Sequence, residues 1–253
     1  LDTALIMEIP TSTAIAAGIQ RLMDDATLCS RLTAQALQTI SSYSFDIYAE
    51  QMLGLIRHDG HRHYMHAPEV GLYGKWSLPE RLHGLQPLLE LSRGLSVIDF
   101  SAAEGMISRE FLKHEALIVH GFDLDPQRVQ NASSLCKMWS GALFWVADLS
   151  DWEAFLRSRP DRMKQAYDIV LYLGIHHHLP AKHRRRTLEY AVNLSQRYFA
   201  IRTPASVYES DGINELLIEK GFQRFEVELD APQSENLGLL TIYVRNQFEE
   251  KGI

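Results

Sequence analysis

The sequence predicts an α/β protein. The expected architecture is a doubly wound, mostly parallel seven-stranded sheet with an antiparallel last strand, preceded by a helical N-terminal segment. Three observations carry this prediction. Short apolar runs alternate with helical stretches from about Tyr73 onward, and repeated strand–helix units close into a parallel sheet with helices on both faces. Tyr167–Leu173 is continuously apolar apart from Asp168, the pattern of a strand covered on both faces. Up to about His66 the chain shows helical periodicity and no strand alternation.

The elements follow in order. Ile15, Ile19, Leu22 and Met23 fall at i, i+4, i+7 and i+8, one face of a first helix. Asp24-Asp25 breaks it and caps a second helix that carries Leu28 and Leu32. Ser44 caps a third, with Phe45, Tyr48, Met52, Leu53 and Ile56 on one face. Such helices expose an apolar stripe and must pack on something. Ser96–Phe100 is then a strand, Met106–His114 a helix and Ala116–Phe122 a strand. Asp125 followed by Pro126 opens the next helix, since Pro is preorganised for the first helical position. Ala142–Ala147 is a strand, and Ser150-x-x-Glu153 a capping box. After Tyr167–Leu173 come a helix from about Lys182, the strand Arg197–Arg202 and a helix closing at Gly221. Arg224–Leu229 and Leu239–Val244 pair antiparallel around the loop Ser234–Gly238. The expected domains are 1–66, helical, and 67–253, the α/β domain.

Composition narrows the function. A 46% hydrophobic content in 253 residues is that of an ordinary soluble globular chain and excludes collagen-like, disordered and disulfide-rich classes. Lys plus Arg is 25 against 32 for Asp plus Glu, a net charge of −7, which argues against broad nucleic-acid binding. No apolar run reaches the roughly 18–20 residues of a membrane span. Cys29 and Cys136 lie far apart and read as buried or half-buried thiols of a reducing, cytoplasmic setting. The start, Leu1-Asp2-Thr3-Ala4, has no basic n-region and no Met, so the chain is expected to be a piece of a longer protein.

The chemistry concentrates at strand ends, where doubly wound sheets bind ligands. Asp99-Phe100-Ser101-Ala102-Ala103-Glu104-Gly105 is a turn of mainly small residues that lets backbone approach a ligand. The helix start after it offers free N–H groups and a positive dipole to a carboxylate. The next strand ends in Gly121-Phe122-Asp123, where an acid can accept from two ribose hydroxyls. The third ends in Ala147-Asp148-Leu149, where Asp can accept from an adenine amino group. The fourth runs into Leu173-Gly174-Ile175-His176-His177-His178-Leu179-Pro180, which can wall the site. A nicotinamide dehydrogenase is the nearest competitor, but it needs Gly-x-Gly-x-x-Gly spacing, which this turn lacks.

From about Gly94 to Val244 these residues resemble the class I S-adenosylmethionine-dependent methyltransferases. The resemblance implies a Rossmann-like methyltransferase fold with S-adenosyl-L-methionine as cofactor and S-adenosyl-L-homocysteine as product. It puts the acidic first-motif residue on Asp99, the glycine-rich loop on Ser101, Ala103 and Gly105, the ribose acid on Asp123 and the adenine acid on Asp148. Ala102, Met106, Leu124, Leu149, Tyr172, Leu173 and Gly174 complete the implied cofactor set. The usual Gly-x-Gly-x-Gly stands here as Ser-x-Ala-x-Gly, and a Cβ costs wherever φ must be positive.

A second resemblance covers about 55 residues. Ala14–Asp25, Leu32, Ala36 and Ser44-Phe45-Asp46 are similar to the C-terminal tail of retaining glycosyltransferases with two Rossmann-like domains. It implies covalent fusion to a glycosyltransferase domain and polysaccharide biosynthesis as the setting, although none of that family's nucleotide-sugar residues is present.

Other side chains have two readings each. His58, His61, His63 and His66 have spacings that suit a metal, but no carboxylate pattern accompanies them, and no metal site is assigned. His176 and His177 are the expected catalytic residues, one acting as general base toward an acceptor hydroxyl; the bland reading has them capping or packing. Lys182–Arg186 is a solvated helix face or an anion patch. Tyr73, Lys75 and Trp76 form a packed linker or an aromatic lid suited to a sulfonium. Trp139, Trp145 and Trp152 pack core or helix faces. The expected function is methyl transfer to a small molecule, preferably a sugar or glycan hydroxyl. The alternative is a non-catalytic scaffold module of a larger glycan-assembly protein.

Overall fold

The computed structural model describes residues 11–41, 63–158, 160–225 and 238–248. The chain divides into two compact units, Leu1–Gly60 and His61–Ile253. In the first, Ser12–Asp24 and Ala26–Ser41 are helices. Thr11 caps the first through Ala14 N, 3.2 Å, and Asp25 caps the second through Leu28 N, 2.8 Å. The expected third helix, from Ser44, lies outside the described residues.

The second unit starts with a structure that periodicity did not reveal. Met65–Ala67 (β1) pairs antiparallel with Leu72–Tyr73 (β2) and parallel with Trp76–Ser77 (β3). The reading of helix alone up to His66 therefore fails at its end: strands of two or three residues are too short to display alternation. Met65, Ala67 and Leu72 pack on Met106, so that Met106 is a core residue.

The main sheet has seven strands: Ser96–Asp99 (β4), Ile118–Asp123 (β5), Ala142–Val146 (β6), Tyr167–Leu173 (β7), Ser195–Thr203 (β8), Phe222–Arg224 (β9) and Leu239–Arg245 (β10). Their order across the sheet is β6-β5-β4-β7-β8-β10-β9. β4 through β8 run parallel, and β10 is inserted antiparallel between β8 and β9. This is the doubly wound, mostly parallel sheet that the alternation predicts. Successive residues feed opposite faces, as the pleat requires. Val97, Ile169 and Leu171 enter one core cluster, while Ile98, Val170 and Tyr172 enter the other.

The helices Met106–Lys113, Pro126–Leu135, Trp152–Ser158, Ala181–Leu194, Ala205–Ser210 and Ile213–Glu219 connect the strands. Asp125 caps its helix through Gln127 N, 2.8 Å, as expected. The capping box at Ser150 does not form. Asp151 caps Trp152–Ser158 through Ala154 N, 3.0 Å, because Ser150 is engaged by Asp148. Among the described residues, no helix is long and apolar enough to cross a membrane.

Chain order reverses at β4, which lies between β5 and β7. The strand ends at that reversal form the crevice where such sheets take ligands.

Candidate functional site

The site is built on the turn leaving β4. Phe100 N donates to Leu171 O, 2.9 Å, and Ala102 N to Phe122 O, 3.0 Å, which fasten the turn to both neighbouring strands. Ser101 Oγ donates to Leu173 O, 2.7 Å, tying the turn to the end of β7. The serine at the first position of the loop thus contributes a bond that glycine has no atom to make. Positive φ is required at only two of the three loop positions. Gly105 has φ 78° and Ala103 has φ 47°. A Cβ on Gly105 would stand 2.7 Å from the Ala132 Cβ, so close helix approach as well as conformation demands glycine there.

Asp99 does not reach the cavity. It is 1% exposed and accepts from Ser101 N, 3.2 Å, and from Ser108 Oγ, 3.0 Å. Burial pushes its carboxyl up to about 6 despite those bonds. Its place in the structure is to brace the turn. Glu104, fully buried, braces it from the other side. Its carboxylate accepts from Tyr64 N, 2.7 Å, and Met65 N, 3.2 Å, so the turn holds the strand that presents Tyr64.

A cavity of about 660 Å³ opens over this turn, within the roughly 300–1,000 Å³ of small-molecule sites. Its lining includes Phe100, Ser101 and Ala103 from the turn; Asp123 and Leu124 from the end of β5; and Ala147, Asp148, Leu149 and Ser150 after β6. Leu173, Gly174 and Ile175 close it at the end of β7. The structure therefore brings together Ser101, Ala103, Asp123, Leu124, Asp148, Leu149, Leu173 and Gly174 of the expected set. Asp99, Ala102, Gly105, Met106 and Tyr172 stand behind the wall.

The two acids are prepared differently. Asp123 Oδ2 accepts from Ala103 N and Oδ1 from Asp125 N, both at 3.0 Å, leaving further lone pairs toward the cavity. Asp148 Oδ1 accepts from Ser150 N, 2.8 Å, and Ser150 Oγ, 2.6 Å. The Ser150 hydroxyl holds its carboxyl below the usual range, so Asp148 stays ionised.

The three histidines divide. His176 is buried, with Nε2 3.0 Å from Asp211 Oδ2 and Nδ1 3.4 Å from the Tyr172 hydroxyl. Burial lowers its pKa, with Asp211 opposing. His177 is half-buried, and burial, with His178 adding to it, lowers its pKa to about 4. The histidine that lines the cavity is His178. The acceptor-side chemistry expected of His176 or His177 thus finds a different neighbour facing the space. A run of three identical residues gives no sequence signal as to which one points inward.

Sequence reading also missed three cavity residues. Tyr64 lies on the wall with the guanidiniums of Arg81 and Arg128 at 5.2 and 5.8 Å from its ring. Burial raises its phenol pKa. Arg128 Nη1 is 3.8 Å from Asp123 Oδ1, with Nε 3.8 Å from Glu104 Oε1. The aromatic on the site is thus Tyr64. Tyr73 N donates to His63 Nδ1, 3.0 Å, and the Lys75 ammonium lies over Trp76, 4.3 Å from the ring centre. Arg184 of the basic run turns back onto the loop carbonyls of His177 and Leu179 and onto Asp211. Among the described residues, no group of three or more His, Cys, Asp or Glu has a metal-binding arrangement; His58 and His61 lie outside them.

No protein-family model matches the chain, and no curated protein matches it. Solved structures do. Magnesium protoporphyrin IX methyltransferase of Synechocystis PCC 6803, crystallised with bound SAM, shares 17% identity over 64% of this chain and 80% of its own, with a TM-score of 0.49. The N-methyltransferase NodS of Bradyrhizobium japonicum WM9, in complex with S-adenosyl-L-homocysteine, shares 15% over 64% of this chain and 85% of its own, TM-score 0.49. A TehB-like SAM-dependent methyltransferase of Corynebacterium glutamicum ATCC 13032 Kitasato shares 19% over 65% and 88%, TM-score 0.48.

Proposed function

We propose that this chain is an S-adenosylmethionine-dependent methyltransferase. One observation carries the reading. Three consecutive strand ends deliver Ser101 and Ala103, Asp123, and Asp148 with Leu149 onto a single cavity at the chain reversal of the sheet. The residues fit the cofactor. Asp123 has lone pairs left for two ribose hydroxyls, and Asp148, an ionised carboxylate on the cavity wall, has acceptor capacity for an adenine amino group. Leu124 and Leu149 supply apolar surface for the base. When bound, the cofactor supplies a methyl group on a sulfonium, an already activated leaving group. The protein then has to orient, exclude water and accept a proton where the acceptor is a hydroxyl. His178 is the side chain we assign to that proton.

The acceptor we favour is a sugar or glycan hydroxyl, by the likeness of residues 14–46 to a glycosyltransferase tail. With it go the division into 1–66 and 67–253, fusion to a glycosyltransferase domain and a cytoplasmic, reducing setting that suits the free thiols Cys29 and Cys136. The non-catalytic scaffold reading draws on one observation, the Cβ of Ala103 at positive φ where the family has glycine.

Calorimetric titration of S-adenosylhomocysteine tests the proposal. Micromolar binding is expected, weakened tenfold or more by Asp123→Ala, at least ~1.4 kcal/mol. A folded protein that does not bind overturns it. Binding with no turnover on any sugar acceptor favours the scaffold.

A further inference from the structure

Among the described residues of the second unit, six large apolar side chains are exposed: Leu117, Leu124, Met138, Val146, Leu156 and Ile218. Five of them gather on one side of the sheet. Leu117 and Leu124 flank β5, Val146 ends β6, and Met138 and Leu156 lie on the connections that enter and leave β6. Ile218 stands apart, on the helix Ile213–Glu219 that packs on β9. Single exposed apolar residues are ordinary, whereas a grouping of them marks an interaction surface.

At the centre of that grouping is an open sheet edge. β6 pairs with β5 and, among the described residues, with no strand on its other side. Its free backbone groups are a template for another strand, and natural edges are guarded by shortness, charge or proline. The opposite edge, β9, is so guarded: it has three residues and ends in Arg224. β6 is Ala-Leu-Phe-Trp-Val, five residues with neither charge nor proline. The helix Pro126–Leu135, which packs on β6, exposes Gln127, Gln130, Ser133 and Ser134. Its one charged residue, Arg128, lines the cavity.

Charge decides what can lie on this edge. It presents no row of cations to a polyanion and no acids to a basic peptide. Two copies of a chain of net charge −7 repel wherever their acids face one another, and an uncharged strand lets them meet without that cost. Depletion of charge at the centre of the patch is also what interface cores show. A strand laid antiparallel on its own copy is self-complementary about a two-fold axis. The cavity adds a reason of its own. Leu124 is part of its wall yet 63% exposed, and Val146, opposite Asp123 in the β5–β6 register, is 45% exposed. The β6 end of the cavity is thus walled by apolar side chains that face water.

We propose that a second copy of this chain docks antiparallel along β6, joining the two sheets across a two-fold axis and covering Leu124 at that end of the cavity. The dimer stands apart from the methyltransferase reading; its effect on cofactor binding rests on that reading.

Sedimentation velocity of the full chain over a wide concentration series tests it. The wild type should show a reversible monomer–dimer equilibrium. Val146→Lys and Met138→Lys, both at exposed side chains, should each weaken it tenfold or more with an unchanged far-UV spectrum, and Ile218→Lys should leave it within twofold. A monomer at every concentration overturns the proposal. So does a dimer that resists both substitutions at the β6 side, or one that Ile218→Lys weakens equally. Saturating S-adenosylhomocysteine should tighten the wild-type dimer threefold or more, since ligand and partner enclose the same leucine. Binding without tightening overturns the closure of the cavity by the partner. No binding of S-adenosylhomocysteine overturns the methyltransferase reading, while the three substitutions still decide the dimer.

Discussion

Asp99 shows how an acid at a strand end can act from behind the wall of the cavity rather than on it. It is sealed under the turn, and its carboxyl is raised to about 6 by burial. A folded-state pKa above the unfolded one means that the protonated form is favoured by folding. That contribution is present below about pH 4 and is lost as pH rises through 6. Raising the carboxyl from its ordinary value to about 6 corresponds to about 3 kcal/mol. Asp99→Asn keeps an acceptor for Ser101 N and cannot ionise. Urea unfolding at pH 4 and pH 8 should show the variant gaining on the wild type by up to that amount at the higher pH. An unchanged difference between the two would place the titration elsewhere. The identity of Asp99, Asp123 and Asp148 was legible in the sequence because each closes an apolar run. Their division of labour was not, since depth beneath the turn is set by Ser101, Ser108 and the close packing of Gly105 on Ala132.

At the scale of elements, the main sheet was readable because its strands are buried runs separated by helices with their own caps. The antiparallel pairing of the last two strands was expected from the loop Ser234–Gly238, but the strand that pairs with Leu239–Arg245 is Phe222–Arg224, earlier than the expected Arg224–Leu229, of which residues 226–229 lie outside the described residues. The small β2-β1-β3 sheet was hidden, and with it Tyr64 and Arg81, two of the cavity's walls. Tyr64 reaches the site through its backbone bond to Glu104, and Arg81 through the bond its carbonyl accepts from Arg202, contacts that no local pattern encodes. Glu104→Ala should leave two N–H groups without partners, at about 1–3 kcal/mol each. Hydrogen exchange at Tyr64 and Met65 should accelerate more than at β4, and unchanged protection would remove Glu104 from that duty. Gly105→Ala should cost more than the ~1–2 kcal/mol of a left-handed residue, because its Cβ also meets Ala132. Urea denaturation measures it, and a loss below ~1 kcal/mol would mean that the two helices can separate freely.

For the molecule as a whole, net charge was legible from counts alone, whereas the second unit's chemistry depended on which strand ends meet. Cys136 connects the two levels. It is fully buried at the C-terminal cap of the helix Pro126–Leu135, its Sγ is 3.9 Å from Gly105 O, and burial pushes its thiol up to about 12. Cys29 is exposed. An aromatic disulfide reagent should therefore titrate one thiol promptly and the other only when the second unit opens. Two prompt equivalents would contradict this packing. Because Cys136 touches the carbonyl of the very residue that begins the turn's helix, its slow modification is a built-in clock for breathing of the binding loop. A ligand that settles on the turn should slow that clock in proportion to its occupancy, which makes a single native sulfur a reporter of binding that needs neither a label nor a known acceptor.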